Sequence, residues 1–289
     1  MQGLNEYGRL RQVALRHARD AFGSQAALSR QWQALNYHAE PDFQAAVKEY
    51  DAFVRIFEDL GCAVELLPAA EDLGPDSIYV RDATLVSPKG LVHGAMGKPA
   101  RRAENQGNGD LLAARGLPVA GAIQGEGTVE GGDVVWLDET TFCVGQGYRT
   151  NAEGIRQLRE LLGPGVHVEA TGLPHYKGPS DVFHLMSFLS PLDKDLALVF
   201  SPLMPVPFRQ FLLERGLTLV EVPEEEFESM ACNVLALAPR HVLMLEGNPE
   251  TRRRLEAAGC SVVLYEGRNI SRLGEGGPTC LPRPLVRAA

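Results

Sequence analysis

The sequence predicts an α/β fold of five repeated units arranged about a pseudo-fivefold axis, with loops converging on a central pocket. Two observations support this prediction. An amphipathic helix that ends in glycine is followed by an apolar strand five times along the 289 residues. The glycines recur at intervals of roughly 50 residues, a period typical of repeat and propeller architectures. They are Gly61, Gly116, Gly163, Gly216 and Gly259.

The first unit contains the clearest helix. Residues 11–16 are predicted to form the first strand, and 19–40 a long loop, because 19–40 shows no hydrophobic period. A helix is predicted to begin at Pro41 and Asp42, since apolar side chains recur on one face over 43–57. Glycine just past such a helix is the usual left-handed cap.

The remaining units are filled by strands. Residues 76–87 are predicted to form a strand that turns back at Pro88, and Thr150 with Glu153 a capping box that opens a helix. No linker or low-complexity tract divides the chain, so residues 1–289 are predicted to form a single domain. The predicted strand pairs are 129–137 with 141–144, 183–189 with 196–200, and 233–238 with 241–245.

The composition argues against several classes of protein. The chain is 45% hydrophobic and 22% charged, as in a globular protein, and its net charge is −9. Nucleic acids and anionic membranes attract basic surfaces, so neither is an expected partner. No apolar run reaches transmembrane length and the N-terminus has no signal-peptide core, so a cytoplasmic location is expected.

The five cysteines do not predict a disulfide framework, because their number is odd and the chain looks cytosolic. Cys62, Cys143 and Cys260 lie in or beside apolar strands and are interpreted as core residues. Cys280 differs, because it ends the polar turn 274–280, which holds three glycines and a proline. Such a turn presents a side chain, although an ordinary surface turn is an equal alternative.

Acidic side chains occur in two clusters. In 76–82, strand alternation would place Asp76 and Asp82 on one face among apolar residues, where a carboxylate needs a partner. Residues 126–133 combine three acids with paired glycines, and lack the lysine and the spacing of a phosphate loop. For each cluster the alternative is structural, either an edge strand with its acids in water or a hairpin-like turn.

A histidine and several arginines complete the set. His184 lies in an apolar stretch predicted to be a strand, where a core histidine with satisfied hydrogen bonds is the alternative to a catalyst. Arg101, Arg102 and Arg149 belong to the residue type that binds carboxylates in a bidentate way. Most such arginines are merely solvated, so each alone is weak support for a site.

Together these residues fit one reaction type. A cysteine thiolate attacks carbon, a histidine transfers protons, a carboxylate orients the histidine, and further carboxylates hold a cation. Arginines hold a carboxylate elsewhere on the substrate. A small molecule with a delocalised cation at one end and a carboxylate at the other is an arginine derivative. No Cys-x-x-Cys or His-x-x-x-His spacing points to a metal, and neither a metal nor a cofactor is expected.

Over most of its length the sequence resembles the guanidino-group-modifying enzymes of the pentein superfamily, above all the dimethylarginine dimethylaminohydrolases. The resemblance rests on the order and spacing of several short stretches. It implies a five-bladed αβ propeller, which agrees with the fivefold pattern found from the residues alone. The matching stretches are 75–82, 101–102, 127–133, 149–154, 184–185, 221–226 and 276–280.

The resemblance implies roles at the guanidinium end of a substrate. Cys280 resembles the nucleophile, His184 the general acid and base, and Glu130 the carboxylate that orients the histidine. Asp82 resembles the acid that binds the guanidinium, and Glu275 matches an acidic position near it.

The resemblance also implies contacts at the other end of the substrate. Asp76 and the carbonyl of Gly274 resemble contacts for the α-amino group. Arg101 and Arg149 resemble the clamp for the α-carboxylate, and the stretch 19–40 covers the region of the family's mobile lid.

Two departures from the family leave the guanidinium substituent open. The dimethylarginine enzymes carry an acid where this chain has Arg81, whereas arginine deiminases have Arg-Asp there, as in 81–82. Arginine deiminases follow the histidine with Leu-Asp, and this chain has Met186 at the place of that aspartate. A methylated guanidinium needs apolar room, which Met186 is expected to supply.

The expected reaction is hydrolysis of a guanidinium C–N bond of arginine or an Nω-methylated arginine through a covalent thiouronium. The products are citrulline plus ammonia or an alkylamine, and the partner is a small guanidino molecule. The alternatives are an arginine deiminase or dihydrolase, then an amidinotransferase, then a non-catalytic pentein that only binds. The oligomeric state is open, with a homodimer as one option.

Overall fold

The structure is a computed structural model that describes residues 3–288 and has an α/β architecture with five three-stranded sheets. In each sheet the central strand pairs antiparallel with one neighbour and parallel with the other. The strands are β1 Leu10–Leu15, β2 Ala63–Leu66, β3 Thr84–Ser87, β4 Gly90–His93, β5 Val119–Ala122, β6 Val134–Asp138, β7 Thr141–Gln146, β8 His167–Gly172, β9 Leu189–Asp193, β10 Leu196–Val199, β11 Thr218–Glu221, β12 Leu235–Ala238, β13 His241–Leu245, β14 Ser261–Tyr265 and β15 Arg283–Arg287.

The predicted repeat of helix, glycine and strand is present five times, before β2, β5, β8, β11 and β14. The five capping glycines have φ between 74° and 86°, the left-handed region that glycine enters without strain. The helices are α1 Ala18–Phe22, α2 Gln25–Gln31, α3 Phe43–Asp59, α4 Glu104–Ala113, α5 Ala152–Leu162, α6 Val206–Glu214, α7 Glu224–Phe227 and α8 Pro249–Ala257.

The first sheet joins distant parts of the chain. Its central strand β1 pairs in parallel with β2 and antiparallel with β15, so that Leu10 lies opposite Arg287. The buried Arg287 donates from Nη1 to the carbonyl oxygens of Gly8 at 2.6 Å and Ala236 at 2.8 Å. β15 was not predicted, because no local signal marks a strand whose partner lies at the other end of the chain.

The long loop predicted over 19–40 is wrong, since this stretch contains α1 and α2. The two helices have 5 and 7 residues, which is less than two turns each and too short to display a hydrophobic period. Side-chain caps mark their starts: His17 Nδ1 accepts from the backbone N–H of Arg19 at 3.1 Å, and Ser24 Oγ from that of Ala27 at 3.2 Å.

The strand predicted over 76–87 is wrong for its first half. Residues Pro75–Ile78 and Val80–Ala83 form two 3-10 turns, and only then does β3 begin. The alternation that placed Asp76 and Asp82 on one strand face therefore does not apply. A side-chain hydrogen bond stabilises the backbone conformation here, since the Asp82 carboxylate accepts the N–H of Gly132 at 3.0 Å.

Two other predicted strands begin later than expected. Gly131–Asp133 is a 3-10 turn before β6, and His184 precedes the turn Leu185–Ser187, so it does not lie inside a strand. Asp133 accepts the backbone N–H of Leu185 at 3.1 Å, which holds the two turns together. The capping box of Thr150 and Glu153 is also wrong, because Asn151 caps α5 by accepting the N–H of Gly154 at 2.8 Å.

The apolar side chains pack into three buried clusters, one of which surrounds β9 and β10. Cys62, Cys143 and Cys260 are buried as predicted, and Cys232 is buried as well. All five cysteines are free thiols. Within residues 3–288, the helices include none whose length and apolar character would let it cross a bilayer.

Candidate active site

Cys280 lies in the connection between β14 and β15. The tight turn before it brings Gly276 and Gly277 against Tyr79 and Asn233, where an added Cβ would lie 2.1 Å and 2.4 Å from those side chains. Only glycine fits so close to its neighbours, which explains the glycines of this turn. The carbonyl of Cys280 accepts the backbone N–H of Arg81 at 3.1 Å and so ties the cysteine to the second sheet's entry turn.

The thiol of Cys280 is half-buried and has polar neighbours. Asn233 Nδ2 donates to Sγ at 3.4 Å, and Thr279 Oγ1 lies 3.7 Å from it. Burial raises the pKa of the Cys280 thiol and Asp82 adds to the effect, while the hydrogen bonds of Asn233 and Thr279 oppose it. A bound cation beside the sulfur would favour the thiolate, since it offsets the nearby negative charge.

His184 and Glu130 form a buried pair. His184 Nε2 lies 2.8 Å from Glu130 Oε2, and both side chains are almost fully buried. Burial alone would lower the pKa of His184, but the charge of Asp133, the hydrogen bond to Glu130 and the charge of Asp82 raise it to about 9. The acidic neighbours therefore favour the charged form of the imidazole.

Glu130 is held in place by backbone and side-chain donors. Its Oε1 accepts the N–H of Gly97 at 2.9 Å and of Lys98 at 3.1 Å, and lies 3.5 Å from Arg149 Nη1. Burial opposes ionisation, yet the hydrogen bond and charge of His184 and the charge of Arg149 keep the pKa of Glu130 below its usual value. The arrangement fits a carboxylate that orients the histidine.

Asp133 is a buried acid beside this pair that the sequence analysis did not single out. Burial raises the pKa of Asp133 to about 6, and Glu130 adds to the effect, although the charge of His184 acts in the opposite direction. Gly132 next to it leaves room for the imidazole, because an added Cβ would lie 2.3 Å from His184 Nδ1. The only sequence signal was the place of Asp133 at the end of the acidic stretch 126–133.

Asp82 is buried and has two partners. Its Oδ2 accepts from Arg101 Nη1 at 2.7 Å, and its Oδ1 accepts the N–H of Gly132 at 3.0 Å. Arg101 also forms a bidentate pair with Glu104 at 2.9 Å and 2.8 Å and donates to the carbonyl of Tyr79 at 3.0 Å. The structure thus places Arg101 against carboxylates of the protein, so its expected role as a substrate clamp remains a prediction.

Asp76 is covered by a lysine that the sequence analysis did not assign. Lys98 Nζ lies 2.6 Å from Asp76 Oδ2 and donates to the carbonyl of Leu35 at 3.0 Å. The side chain of Lys98 is 14% exposed and that of Asp76 is 6% exposed. The only sequence signal was the place of Lys98 just before the Arg101-Arg102 pair.

The three remaining predicted site residues also reach this region. Arg149 Nη2 donates to the carbonyl of Asp181 at 3.3 Å, a long contact that leaves the guanidinium loosely held. Glu275 has a left-handed φ of 60° and its Oε1 lies 2.9 Å from His38 Nε2. Gly274 packs tightly, since an added Cβ would meet the Tyr79 hydroxyl at 2.1 Å.

One cavity brings most of these groups together. About 30 Å³ of it is open to a water-sized molecule. Leu35 and Asn36 reach the cavity from residues 32–38, which we name the covering segment. The lining residues are Leu35, Asn36, Asp76, Tyr79, Asp82, Lys98, Arg101, Arg149, Val182, His184, Gly274, Glu275, Gly276 and Cys280.

Two residues that shaped the substrate prediction lie outside this lining. Met186 is packed in the core beside β9, so the apolar room expected from it is not in the cavity, where Val182 and Leu35 are the apolar side chains instead. Arg81 is fully buried and pairs with Glu6 at 2.7 Å, which makes it a structural residue. Across residues 3–288, no three His, Cys, Asp or Glu side chains are grouped as metal ligands.

Comparison with known proteins gives consistent matches. The model of the family described as "N,N dimethylarginine dimethylhydrolase, eukaryotic" matches residues 21–287. The N(G),N(G)-dimethylarginine dimethylaminohydrolase of Streptomyces coelicolor is 32% identical over 243 residues, which cover 83% of this chain and 86% of that protein. The enzyme of the same name from Pseudomonas aeruginosa is 28% identical over 244 residues, covering 84% and 89%.

A solved structure agrees with these matches. A crystal structure of dimethylarginine dimethylaminohydrolase as an adduct with S-methyl-L-thiocitrulline superposes with a TM-score of 0.75 and 26% identity, covering 94% of this chain and 98% of that one. The matches define an enzyme of the class that hydrolyses C–N bonds of linear amidines. The chain belongs to the dimethylarginine dimethylaminohydrolase family, within the pentein superfamily.

Proposed function

We propose that this protein hydrolyses a guanidinium C–N bond of arginine or an Nω-methylated arginine through a covalent intermediate on Cys280. The observation that carries the proposal is the buried pair of His184 and Glu130, 2.8 Å apart, whose histidine lines the same cavity as Cys280 and Asp82. A charged imidazole, an anchored carboxylate and a thiol around one small space are the groups that this chemistry requires.

In the first half-reaction, Asp82 holds the guanidinium and Cys280 loses its proton to solvent as the cation binds beside it. A carboxylate keeps lone pairs for a substrate even with two protein partners. The thiolate attacks the guanidinium carbon and forms a C–S bond. The protonated His184 donates its proton to the departing nitrogen, the C–N bond breaks, and ammonia or an alkylamine leaves.

In the second half-reaction, the thiouronium carbon accepts water. Neutral His184 removes a proton from the water as the C–O bond forms, and Glu130 stabilises the imidazolium that results. The C–S bond then breaks and returns the thiolate of Cys280, and the remaining hydroxyl proton passes to solvent, leaving a ureido acid such as citrulline. One histidine therefore serves both steps, which agrees with a pKa of His184 raised to about 9 by its acidic neighbours against the effect of burial.

The substrate's far end is assigned by charge. Arg149 is the residue best suited to an α-carboxylate, since its guanidinium has only a 3.5 Å contact to Glu130 and a 3.3 Å bond to a carbonyl. In the same proposal Arg101 holds Asp82 in place by donating a hydrogen bond to its carboxylate, and Glu275 lies near the guanidinium of the substrate. Asp76 and the Gly274 carbonyl are the acceptors that the resemblance assigns to an α-amino group.

The wider architecture is part of the proposal. The five sheets are interpreted as the blades of a five-bladed propeller that forms one catalytic domain over 1–289, with the cavity near its axis. The order of strands in every sheet supports this interpretation, because each unit repeats the same antiparallel and parallel pairing. A cytoplasmic location and a homodimer stay predictions.

The test is a product screen with arginine, monomethylarginine, dimethylarginine and agmatine. We expect release of a ureido product from at least one of them by the wild type and none by Cys280→Ser, with Cys62→Ser as a control that retains activity. Circular dichroism checks that each variant is folded. Turnover of arginine alone would favour a deiminase, dependence on an added amine would favour an amidinotransferase, and a folded Cys280→Ser with wild-type activity would refute the covalent mechanism.

A further inference from the structure

The ammonium of Lys98 occupies the place that the resemblance assigns to the α-amino group of a substrate. Its Nζ lies 2.6 Å from Asp76 Oδ2, a distance typical of a strong charged hydrogen bond. A second bond, 3.0 Å to the carbonyl of Leu35, ties it to the covering segment. Both side chains are largely shielded from water.

A substrate ammonium would have to compete with Lys98 for Asp76. Two ammonium groups on one carboxylate repel each other at close range, and shielding from water makes this repulsion stronger. Displacing Lys98 instead exchanges one ammonium for another and breaks its bond to Leu35. In either case the α-amino group of an amino-acid substrate lowers its affinity.

The same region favours a negative group. Arg149 lines the cavity and is loosely held, and Lys98 lies on the same lining. An ammonium has three donors, and the contacts of Lys98 among residues 3–288 are the two to Asp76 and Leu35, so one N–H is left for an anion. With Asp76 neutralised by Lys98, the far end of the cavity presents positive charge.

We propose that the preferred substrate is a guanidino carboxylic acid without an α-ammonium group. Its carboxylate binds between Arg149 and Lys98, and its guanidinium binds at Asp82. This inference rests on the proposed function, and it names the class of guanidino compound that this site selects. Amino-acid substrates such as arginine bind in the same way but more weakly, because their α-ammonium and the ammonium of Lys98 repel each other.

The experiment compares 5-guanidinopentanoate, which is arginine without its α-amino group, with arginine itself, and repeats the pair with Nω,Nω-dimethylated forms. For the wild type we expect kcat/KM to be at least about tenfold higher for the desamino acid. Lys98→Met frees Asp76 and should reverse this preference, while Lys98→Arg should keep it. Lys194→Met, at an exposed lysine in the turn between β9 and β10, is the matched control.

Binding is measured separately, so that the proposed function and this inference can fail independently. Calorimetry on folded Cys280→Ser, and on Cys280→Ser with Lys98→Met, gives dissociation constants for both acids without turnover. A preference for the desamino acid that disappears with Lys98→Met supports the inference even if no guanidine is hydrolysed. Equal or tighter binding of arginine with Lys98 present overturns it, as does a preference that Lys98→Met leaves unchanged.

Discussion

Replacing Glu130 by glutamine should reveal how the buried pair couples charge to stability. Glutamine has nearly the same shape, and its carbonyl oxygen can still accept the N–H groups of Gly97 and Lys98, which lie 2.9 Å and 3.1 Å from Glu130 Oε1. The atom that faces His184 Nε2 at 2.8 Å loses its negative charge. The variant therefore removes a charge and keeps the packing.

The magnitude follows from His184. Burial disfavours its charged form, but Asp133, Glu130 and Asp82 raise the pKa of His184 to about 9 from an ordinary 6.5. At about 1.4 kcal/mol per pKa unit, this protonation stabilises the folded state by about 3 kcal/mol. Because the folded pKa is above the unfolded one, the stabilisation is present below about pH 6.5 and is lost as the pH rises through about 9.

We expect Glu130→Gln to lose the part of this stabilisation that Glu130 provides, about 1–2 kcal/mol near pH 6.5, and to differ from the wild type by less than about 1 kcal/mol near pH 10. Urea denaturation followed by circular dichroism at the two pH values measures this deficit. Thiols and tyrosines that titrate near pH 10 do so in both proteins, so their effect cancels.

Glu104→Gln is the matched control, because Glu104 is a buried carboxylate paired with Arg101 at 2.8 Å and no histidine. Burial raises the pKa of Glu104, against the opposing charge of Arg101, and the guanidinium of Arg101 keeps its charge at both pH values. Its deficit should be the same at both pH values. An equal deficit at both pH values for Glu130→Gln would refute the coupling to His184.

Three further predictions concern activity. His184→Gln should lower kcat by a factor of about 10²–10⁴ and leave an adduct visible by intact-protein mass spectrometry after quenching, so a wild-type rate rejects this role. Gly132→Ala places a Cβ 2.3 Å from His184 Nδ1 and should lower kcat with little change in KM; an unchanged kcat means the imidazole can shift freely. Arg149→Ala should raise KM for carboxylate substrates far more than for agmatine, whereas Asp82→Asn should impair both, and equal losses for Arg149→Ala contradict the clamp.

The repeat of the fold was predictable because its signals are local. A helix with one apolar face, a glycine cap and an apolar strand lie within a few tens of residues, so spacing alone reveals them. The 3-10 turns at 75–83 and Leu185–Ser187 were missed because they depend on Asp82 and Asp133 accepting N–H groups from other units. Such contacts between distant residues leave no period in the sequence.

The candidate site was predictable only in part. Composition and spacing left an ordinary turn at Cys280 and a core histidine at His184 as alternatives, and the family resemblance decided between them. The structure then brings both residues to one cavity with Asp76, Asp82 and Arg149. Lys98 was not predicted as a site residue, because a lysine before a proline is normally a solvated side chain. Only its ion pair with Asp76 in the structure indicates a role in the site.

The pairing of β1 with β15 has a consequence for protein synthesis. Cys280 is translated just before β15 and after all strands of the other four sheets, which also means after Glu130 and His184. The thiol is placed by the Arg81 backbone N–H at 3.1 Å, and Arg283 of β15 donates to the Arg81 carbonyl at 2.6 Å. The position of Cys280 therefore depends on the strand that closes the first sheet, and β15 is the last of the described strands to be translated.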